Sequence, residues 1–135
     1  KNYGSFNKDF RPDYTPGETG LDRFVDFGKP AFIGRDAALA ERNNGPQRRF
    51  VVMEVEAQDA DVVGYESIMK DGKAVGYVTS GAYGHCVDRS LAAGYVPAAL
   101  AREGERFEID ILGNLCAATA RLQPLYDPEG RRLRS

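Results

Sequence analysis

The sequence is poor in the residues that metal and redox sites need. It has one histidine, two cysteines and no tryptophan among 135 residues. One histidine and two distant cysteines lack the paired spacing of zinc ligands, so no metal site is predicted. Two cysteines are also too few for a disulfide framework in a chain of this length. We therefore expect two buried thiols rather than a bridge, in a reducing, cytoplasmic setting.

Two further absences concern membranes and nucleic acids. The longest apolar runs are only a handful of residues, too short to cross a bilayer, and no secretion signal opens the chain. The net charge of −2 lacks the basic excess of typical nucleic-acid-binding modules. We therefore expect neither a membrane nor a nucleic acid as partner. The first residue is Lys1 rather than methionine, which favours a piece of a longer protein.

What the sequence does contain is apolar and polar alternation with a period of two. Residues 106–111 alternate in this way, which predicts a strand with one buried and one exposed face. Asp71–Gly72 predicts a tight hairpin turn because these residues accept positive backbone dihedrals. Strands are predicted over residues 50–56, 65–69, 74–80, 91–96, 106–112 and 116–122. The last two are expected to form a second hairpin across Gly113–Asn114. Residues 21–27 are a further strand candidate, and residues 81–84 are expected to interrupt the pattern.

Two short helices complete the predicted elements. Thr15–Glu18 has the pattern of a capping box, and residues 37–43 have high helix propensity, with Asp36 as a candidate cap. About six strands and two short helices predict an all-β protein, an antiparallel, Greek-key-like barrel, because closure removes exposed strand edges. The strands do not alternate with long helices, which excludes a Rossmann-type domain.

The residues that carry chemistry most often do not form a catalytic pattern. His85 and Cys86 are adjacent, and adjacent side chains on an extended backbone point to opposite sides, which argues against a nucleophilic dyad. The carboxylates of Asp59, Asp61 and Glu66 lie in or beside a loop, where solvated surface is the favoured interpretation. Residues 81–84 precede no long helix, which disfavours a dinucleotide phosphate loop. No catalytic residue is predicted.

A group of aromatic residues in the irregular first thirty positions has two interpretations. The group consists of Tyr3, Phe6, Phe10 and Tyr14. Such side chains either pack over one end of a barrel, which is the favoured interpretation, or stack against a flat ligand.

Several motifs, in order along the chain, are similar to those of a known family. Residues 14–21 and 29–36 resemble the stretch that links the central and C-terminal domains of glycine-cleavage T-proteins, which are aminomethyltransferases. Gly76–Gly81 (Gly-Tyr-Val-Thr-Ser-Gly) and residues 91–96 resemble their C-terminal barrel. Residues 124–134 resemble the end of FAD-dependent dimethylglycine and sarcosine dehydrogenases, in which a T-protein-like half follows an oxidase half.

The resemblance implies a division of the chain and a role for it. Residues 1–35 would be a leading segment from a preceding folate-binding domain, and residues 36–135 a T-protein-like barrel. The barrel would close the channel for tetrahydrofolate in one-carbon transfer from glycine or N-methylated amines. Folate and the small amine substrate would be held through preceding domains, and FAD is possible in an oxidase half. The chain alone is expected to be inactive. A non-catalytic interaction or scaffolding barrel is the alternative.

The resemblance also implies three cofactor-binding residues. Counted back from Pro16, Phe6 matches a family aromatic near the folate that is usually Tyr or Trp, and Tyr3 lies on the same segment. Arg134 lies near a C-terminal basic position, where a guanidinium can pair with the folate glutamate carboxylate. Glu18 matches a family acid, interpreted first as a structural cap. The sequence departs from the family at two positions, with Asn7 for a glycine and Ser67 for a proline.

Overall fold

A computed structural model describes residues 1–134, and its strands form one antiparallel sheet that closes on itself. The strands are β1 (Arg48–Val55), β2 (Ser67–Lys70), β3 (Lys73–Gly84), β4 (Arg89–Pro97), β5 (Arg106–Ile111) and β6 (Asn114–Arg121). The α-helices are α1 (Pro16–Thr19) and α2 (Arg35–Asn44). Short 3₁₀ turns span Asp22–Phe24, Ala98–Leu100 and Arg131–Leu133. The predicted six-stranded barrel with two helices is confirmed.

The order of strands around the barrel differs from their order along the chain. It runs β1-β4-β3-β2-β5-β6 and closes where β6 pairs with β1. β4 therefore lies between β1 and β3, in register from Arg48 opposite Pro97 to Val55 opposite Ser90. Closure leaves none of the six described strands with a free edge, which removes a template for unwanted pairing.

The interior of the barrel is filled by the inward face of each strand. Met53, Ile68 and Ile109 are fully buried there. Two glycines allow β3 and β4 to approach closely. A Cβ on Gly76 would lie 2.0 Å from the Tyr95 carbonyl oxygen, and one on Gly94 would lie 2.5 Å from that of Tyr77.

Both tight hairpins use left-handed backbone conformations. Asp71 and Gly72 have φ of 50° and 73°, which confirms the turn that the Asp-Gly pair predicts. Leu112 and Gly113 have φ of 53° and 88°, so the second turn lies one residue earlier than expected from Gly113–Asn114.

Four local expectations were wrong. Residues 21–27 form no strand but contain a 3₁₀ turn, and the closed sheet offers no edge that another strand could join. Residues 81–84 do not interrupt β3 but continue it, paired with residues 89–92 of β4 beyond a bulge between Val78 and Ser80. Gly34, rather than Asp36, caps α2. Of the two cysteines, which are free thiols as expected, Cys86 is exposed and Cys116 is only partly buried, so neither is the buried thiol that was expected.

None of the helices in residues 1–134 has the length and apolarity needed to cross a membrane.

Candidate functional site

The leading segment, residues 1–35, is held on the barrel by a stack of tyrosines. The rings of Tyr14 and Tyr95 lie parallel with their centroids 3.8 Å apart, and the Tyr14 hydroxyl is hydrogen-bonded to that of Tyr77. The guanidinium of Arg48 lies 4.9 Å from the centroid of the Tyr14 ring, within range of a cation–π interaction. Burial, and then the bond to Tyr77, raises the pKa of Tyr14 to about 12. These contacts attach the segment to β3 and β4.

Glu18 provides a second attachment, at α1. Its backbone N–H donates to Thr15 Oγ1 over 3.2 Å, and its carboxylate accepts from the Thr15 N–H over 3.1 Å. The predicted capping box is therefore confirmed. The other carboxylate oxygen accepts from Arg48 Nε over 2.7 Å, and the Glu18 residue is only 7% exposed. Glu18 thus acts as a structural cap that also ties α1 to β1.

Asp9 provides a third attachment, which the sequence analysis missed. Its carboxylate accepts hydrogen bonds from Ser80 Oγ at 2.8 Å, from the Ser5 N–H at 2.7 Å and from Thr79 Oγ1. The Tyr95 hydroxyl donates to the Asp9 carbonyl oxygen over 2.7 Å. Asp9 is 2% exposed. A lone aspartate in a polar, irregular segment carries no signal of such burial in a single sequence.

The leading segment and the C-terminal tail, residues 122–134, enclose a groove of about 780 Å³ beside β1. Its floor is formed by residues 50–52 of β1, and residues 1–4 line it from the leading segment. Tyr3 and Arg134 both line the groove, although they lie near opposite ends of the chain.

The aromatic group of the leading segment divides into two pairs. Phe10 packs edge-on against Phe50, with 5.2 Å between ring centroids, and Tyr14 is buried in the tyrosine stack. Packing on the barrel is therefore confirmed for these two. Tyr3 is 75% exposed and Phe6 is 72% exposed, and Phe6 does not line the groove. Stacking of a flat ligand on Tyr3 or Phe6 stays a prediction.

An ion pair joins the two ends of the chain at the groove. Lys1 Nζ lies 2.6 Å from Asp127 Oδ2, and this hydrogen bond raises the pKa of Lys1 and lowers that of Asp127. The N–H of Arg131 also donates to Asp127, over 2.8 Å. The tail and the first residue are therefore held together by one carboxylate.

The groove carries an excess of positive charge. Arg121 lines it but is neutralised by Glu54, whose carboxylate is 2.7 Å away. Arg23 and Arg134 also line it, and within residues 1–134 neither makes an ion pair with a carboxylate. The guanidinium of Arg134 donates to the carbonyl oxygen of Glu129. Two guanidiniums without acidic partners make the groove suitable for an anionic group.

The other candidate residues lie away from this groove. His85 and Cys86 are exposed in the turn between β3 and β4, and no hydrogen bond between them is present in the described structure. The Glu66 carboxylate accepts from the Val63 and Gly64 N–H groups, which makes it part of a turn. In the chain up to residue 134, no three His, Cys, Asp or Glu side chains are grouped so that they could hold a metal ion.

Comparisons with known proteins agree on one family. The model of the glycine cleavage T-protein C-terminal barrel domain matches residues 48–127. The mitochondrial dimethylglycine dehydrogenase of Mus musculus is 38% identical over 135 residues, which make up 99% of this chain and 16% of that protein. The aminomethyltransferase of Desulfitobacterium hafniense (strain DSM 10664 / DCB-2) is 33% identical over 119 residues, 88% of this chain and 32% of that protein.

A solved structure shows the same fold in three dimensions. The glycine cleavage system aminomethyltransferase T from Bartonella henselae superimposes with a TM-score of 0.82 and 28% sequence identity. The match covers 90% of this chain and 35% of that one. The chain thus spans about a sixth of the dehydrogenase and about a third of the aminomethyltransferases that it matches.

Proposed function

Because this chain belongs to the glycine cleavage T-protein C-terminal barrel family, we propose that it closes one side of a tetrahydrofolate channel in a larger aminomethyltransferase-like protein. The family resemblance of the sequence motifs is confirmed by the match over residues 48–127. The role in the channel is the proposal.

The observation that carries the proposal is the meeting of Tyr3 and Arg134 in one groove. Folates combine flat rings with an anionic glutamate, so a site for them needs an aromatic surface and a cation. A groove of about 780 Å³ is within the range of small-molecule sites. The exposed ring of Tyr3 offers the first feature, and the guanidinium of Arg134 offers the second.

In this arrangement the residues of the chain bind and orient the folate but carry out no chemical step. Tyr3 would contact the rings, and Arg134 and Arg23 would contact the glutamate carboxylate. Phe6, whose exposed ring lies outside the groove lining, would contact the rings where they extend beyond the groove. Tetrahydrofolate, when bound, accepts the one-carbon unit. Covering one side of the channel also excludes water from the reacting groups.

The remaining parts of the activity belong to domains outside this chain. We propose that the one-carbon unit comes from glycine or an N-methylated amine bound by preceding domains, and that FAD serves an oxidase half where one is present. The division at residue 35 into a leading segment and a barrel stays a prediction, as does the cytoplasmic location.

The alternative is a barrel that serves only as an interaction or scaffolding module. The observation that favours it is the exposure of three aromatic rings on the leading segment. Tyr3, Phe6 and Phe24 are each more than 70% exposed, and such rings suit contact with another protein domain as well as contact with a ligand.

Calorimetric titration of tetrahydrofolate separates the two functions. The titration is made into the 135-residue chain and into the longer protein that contains it. We expect binding by the longer protein, and weak or no binding by the chain alone, because the channel needs the other domains. Absence of binding by both would contradict the folate proposal and favour the scaffolding module.

A matched pair of variants in the longer protein then tests the groove itself. Arg134→Ala should weaken binding by about tenfold or more, because it removes a charged hydrogen-bond donor. Arg102→Ala removes the same charge from an exposed position outside the groove and should leave the affinity unchanged. Equal tetrahydrofolate affinities for the two variants would mean that Arg134 does not contact the folate.

A further inference from the structure

The carboxylate of Asp9 is buried without a cationic partner. No lysine or arginine in residues 1–134 makes an ion pair with it. A buried carboxylate is costly unless hydrogen bonds satisfy it, and here three neutral donors do so. Two of them are the hydroxyls of Thr79 and Ser80 on β3, and the third is the N–H of Ser5. The carboxylate therefore links β3 to the backbone of the leading segment.

The same carboxylate closes a loop around Phe6. Asp9 Oδ2 accepts from the Ser5 N–H over 2.7 Å. In the reverse direction, the carbonyl oxygen of Ser5 accepts from the N–H of Asp9 over 2.8 Å and from that of Phe10 over 3.0 Å. Hydrogen bonds in both directions thus join the two ends of residues 5–9. Phe6 lies inside this loop, and its exposed ring can make no comparable attachment of its own.

The loop also determines the position of the groove wall. Phe10, which follows Asp9, covers Gly4 so closely that a Cβ there would lie 2.4 Å from the Phe10 ring. The Phe10 ring in turn packs on Phe50, in the floor of the groove. The wall that carries Tyr3 and Gly4 is therefore held through Phe10 and Asp9, and not through contacts of Tyr3 itself, which is 75% exposed.

We propose that Asp9 is a positioning residue, which holds residues 3–6 in the conformation that presents Tyr3 and Phe6 to the bound ligand. The structural part of this inference rests on the bonds of Asp9 alone, whereas the ligand part rests on the proposed folate function. Asp9 acts through the backbone and lies too deeply buried to contact the ligand itself.

Amide hydrogen exchange in the 135-residue chain tests the structural part. In Asp9→Ala, the amides of Ser5 and Phe10 should exchange at least about tenfold faster. The Ser5 amide loses its charged acceptor, and the bond from the Phe10 amide to the Ser5 carbonyl oxygen loses the loop closure that supports it. Amides in β1 and β4 should keep their protection. Asp13→Ala is the control, since Asp13 is an exposed aspartate of the same segment that pairs with Arg11.

Two results would overturn this part of the proposal. One is unchanged exchange at Ser5 and Phe10 in Asp9→Ala, and the other is an equal acceleration at every barrel amide, which would make Asp9 a residue of global stability. Should Asp9→Ala fail to fold, Asp9→Asn provides the same test, because the amide keeps the shape and one acceptor oxygen. It should accelerate exchange at Ser5 less than Asp9→Ala would, with the barrel amides again unchanged.

Tetrahydrofolate affinity in the longer protein tests the ligand part. Asp9→Ala should weaken binding by about tenfold, whereas Asp13→Ala should leave it unchanged. Faster exchange at Ser5 with unchanged affinity would overturn the link between Asp9 and the ligand. Failure of the unaltered longer protein to bind tetrahydrofolate would refute the folate function and, with it, the ligand part, and the exchange experiment would still decide the structural part.

Discussion

Two stretches of the leading segment differ sharply in their relation to the barrel. In residues 9–18, Asp9 is 2% exposed, Tyr14 is 8% exposed and Glu18 is 7% exposed. In residues 1–6, Tyr3 and Phe6 are 75% and 72% exposed. Residues 9–18 attach the segment to the barrel, whereas residues 1–6 leave their aromatic rings free for contacts outside the chain.

Residue type does not explain this difference, because each stretch contains aromatic rings. Partners on the barrel explain it. Tyr14 finds Tyr95 to stack on and Tyr77 to bond, whereas no ring of the described chain stacks on Tyr3 or Phe6. An aromatic side chain stabilises a fold only where a matching surface removes it from water.

The largest effect is expected from Tyr14→Ala. It removes a buried ring from the stack on Tyr95 and should lower the free energy of unfolding by about 3–5 kcal/mol, measured by urea denaturation. Tyr14→Phe is the matched control, because it keeps the ring and loses only the hydroxyl bonded to Tyr77, at a cost of about 1 kcal/mol. Equal losses in both variants would mean that the hydroxyl, not the ring, attaches the segment.

A smaller effect is expected from alkaline pH on the same attachment. Burial raises the pKa of Tyr14 to about 12 from its ordinary value near 10, so the folded state keeps a proton that the unfolded chain loses. The stability that Tyr14 contributes is therefore complete below about pH 10 and is lost as pH rises through about 12. Urea midpoints measured from pH 9 to pH 12 should fall, and Tyr14→Phe should reduce the slope. Burial also raises the pKa of Tyr95, so some slope should remain.

The smallest effect on stability is expected from Tyr3→Ala and Phe6→Ala. Because both rings are exposed, each change should alter the free energy of unfolding by no more than about 0.5 kcal/mol. In the longer protein, the same substitutions should weaken tetrahydrofolate binding. Destabilisation comparable to that of Tyr14→Ala would contradict the division into an attached and an exposed stretch.

The features that were correctly predicted depend on neighbours in the sequence. Alternation along residues 106–111 is local, as are the turn at Asp71–Gly72 and the capping box from Thr15 to Glu18. Residues 81–84 show the limit of this reasoning. Their glycines suggested an interruption, but pairing with β4 continues the strand. A partner strand thus outweighed the weak intrinsic strand preference of those residues.

The candidate site was predicted only in part. The family resemblance pointed to Tyr3, Phe6 and Arg134, and the fold brings Tyr3 and Arg134 to one groove but leaves Phe6 outside its lining. Asp9 was missed because its importance comes from Thr79 and Ser80, about seventy residues further along the chain.

By itself, the sequence determined which segments are strands, where the tight turns lie and which family the motifs belong to. Alternation, turn residues and caps act over a few neighbouring positions, so their effects can be recognised without a fold. The tertiary structure decided the order of strands around the barrel, the burial of Asp9 and the pairing of Lys1 with Asp127, 126 positions apart. Each of these depends on surfaces that meet only after the chain has folded, because burial and hydrogen bonding are properties of partners in space.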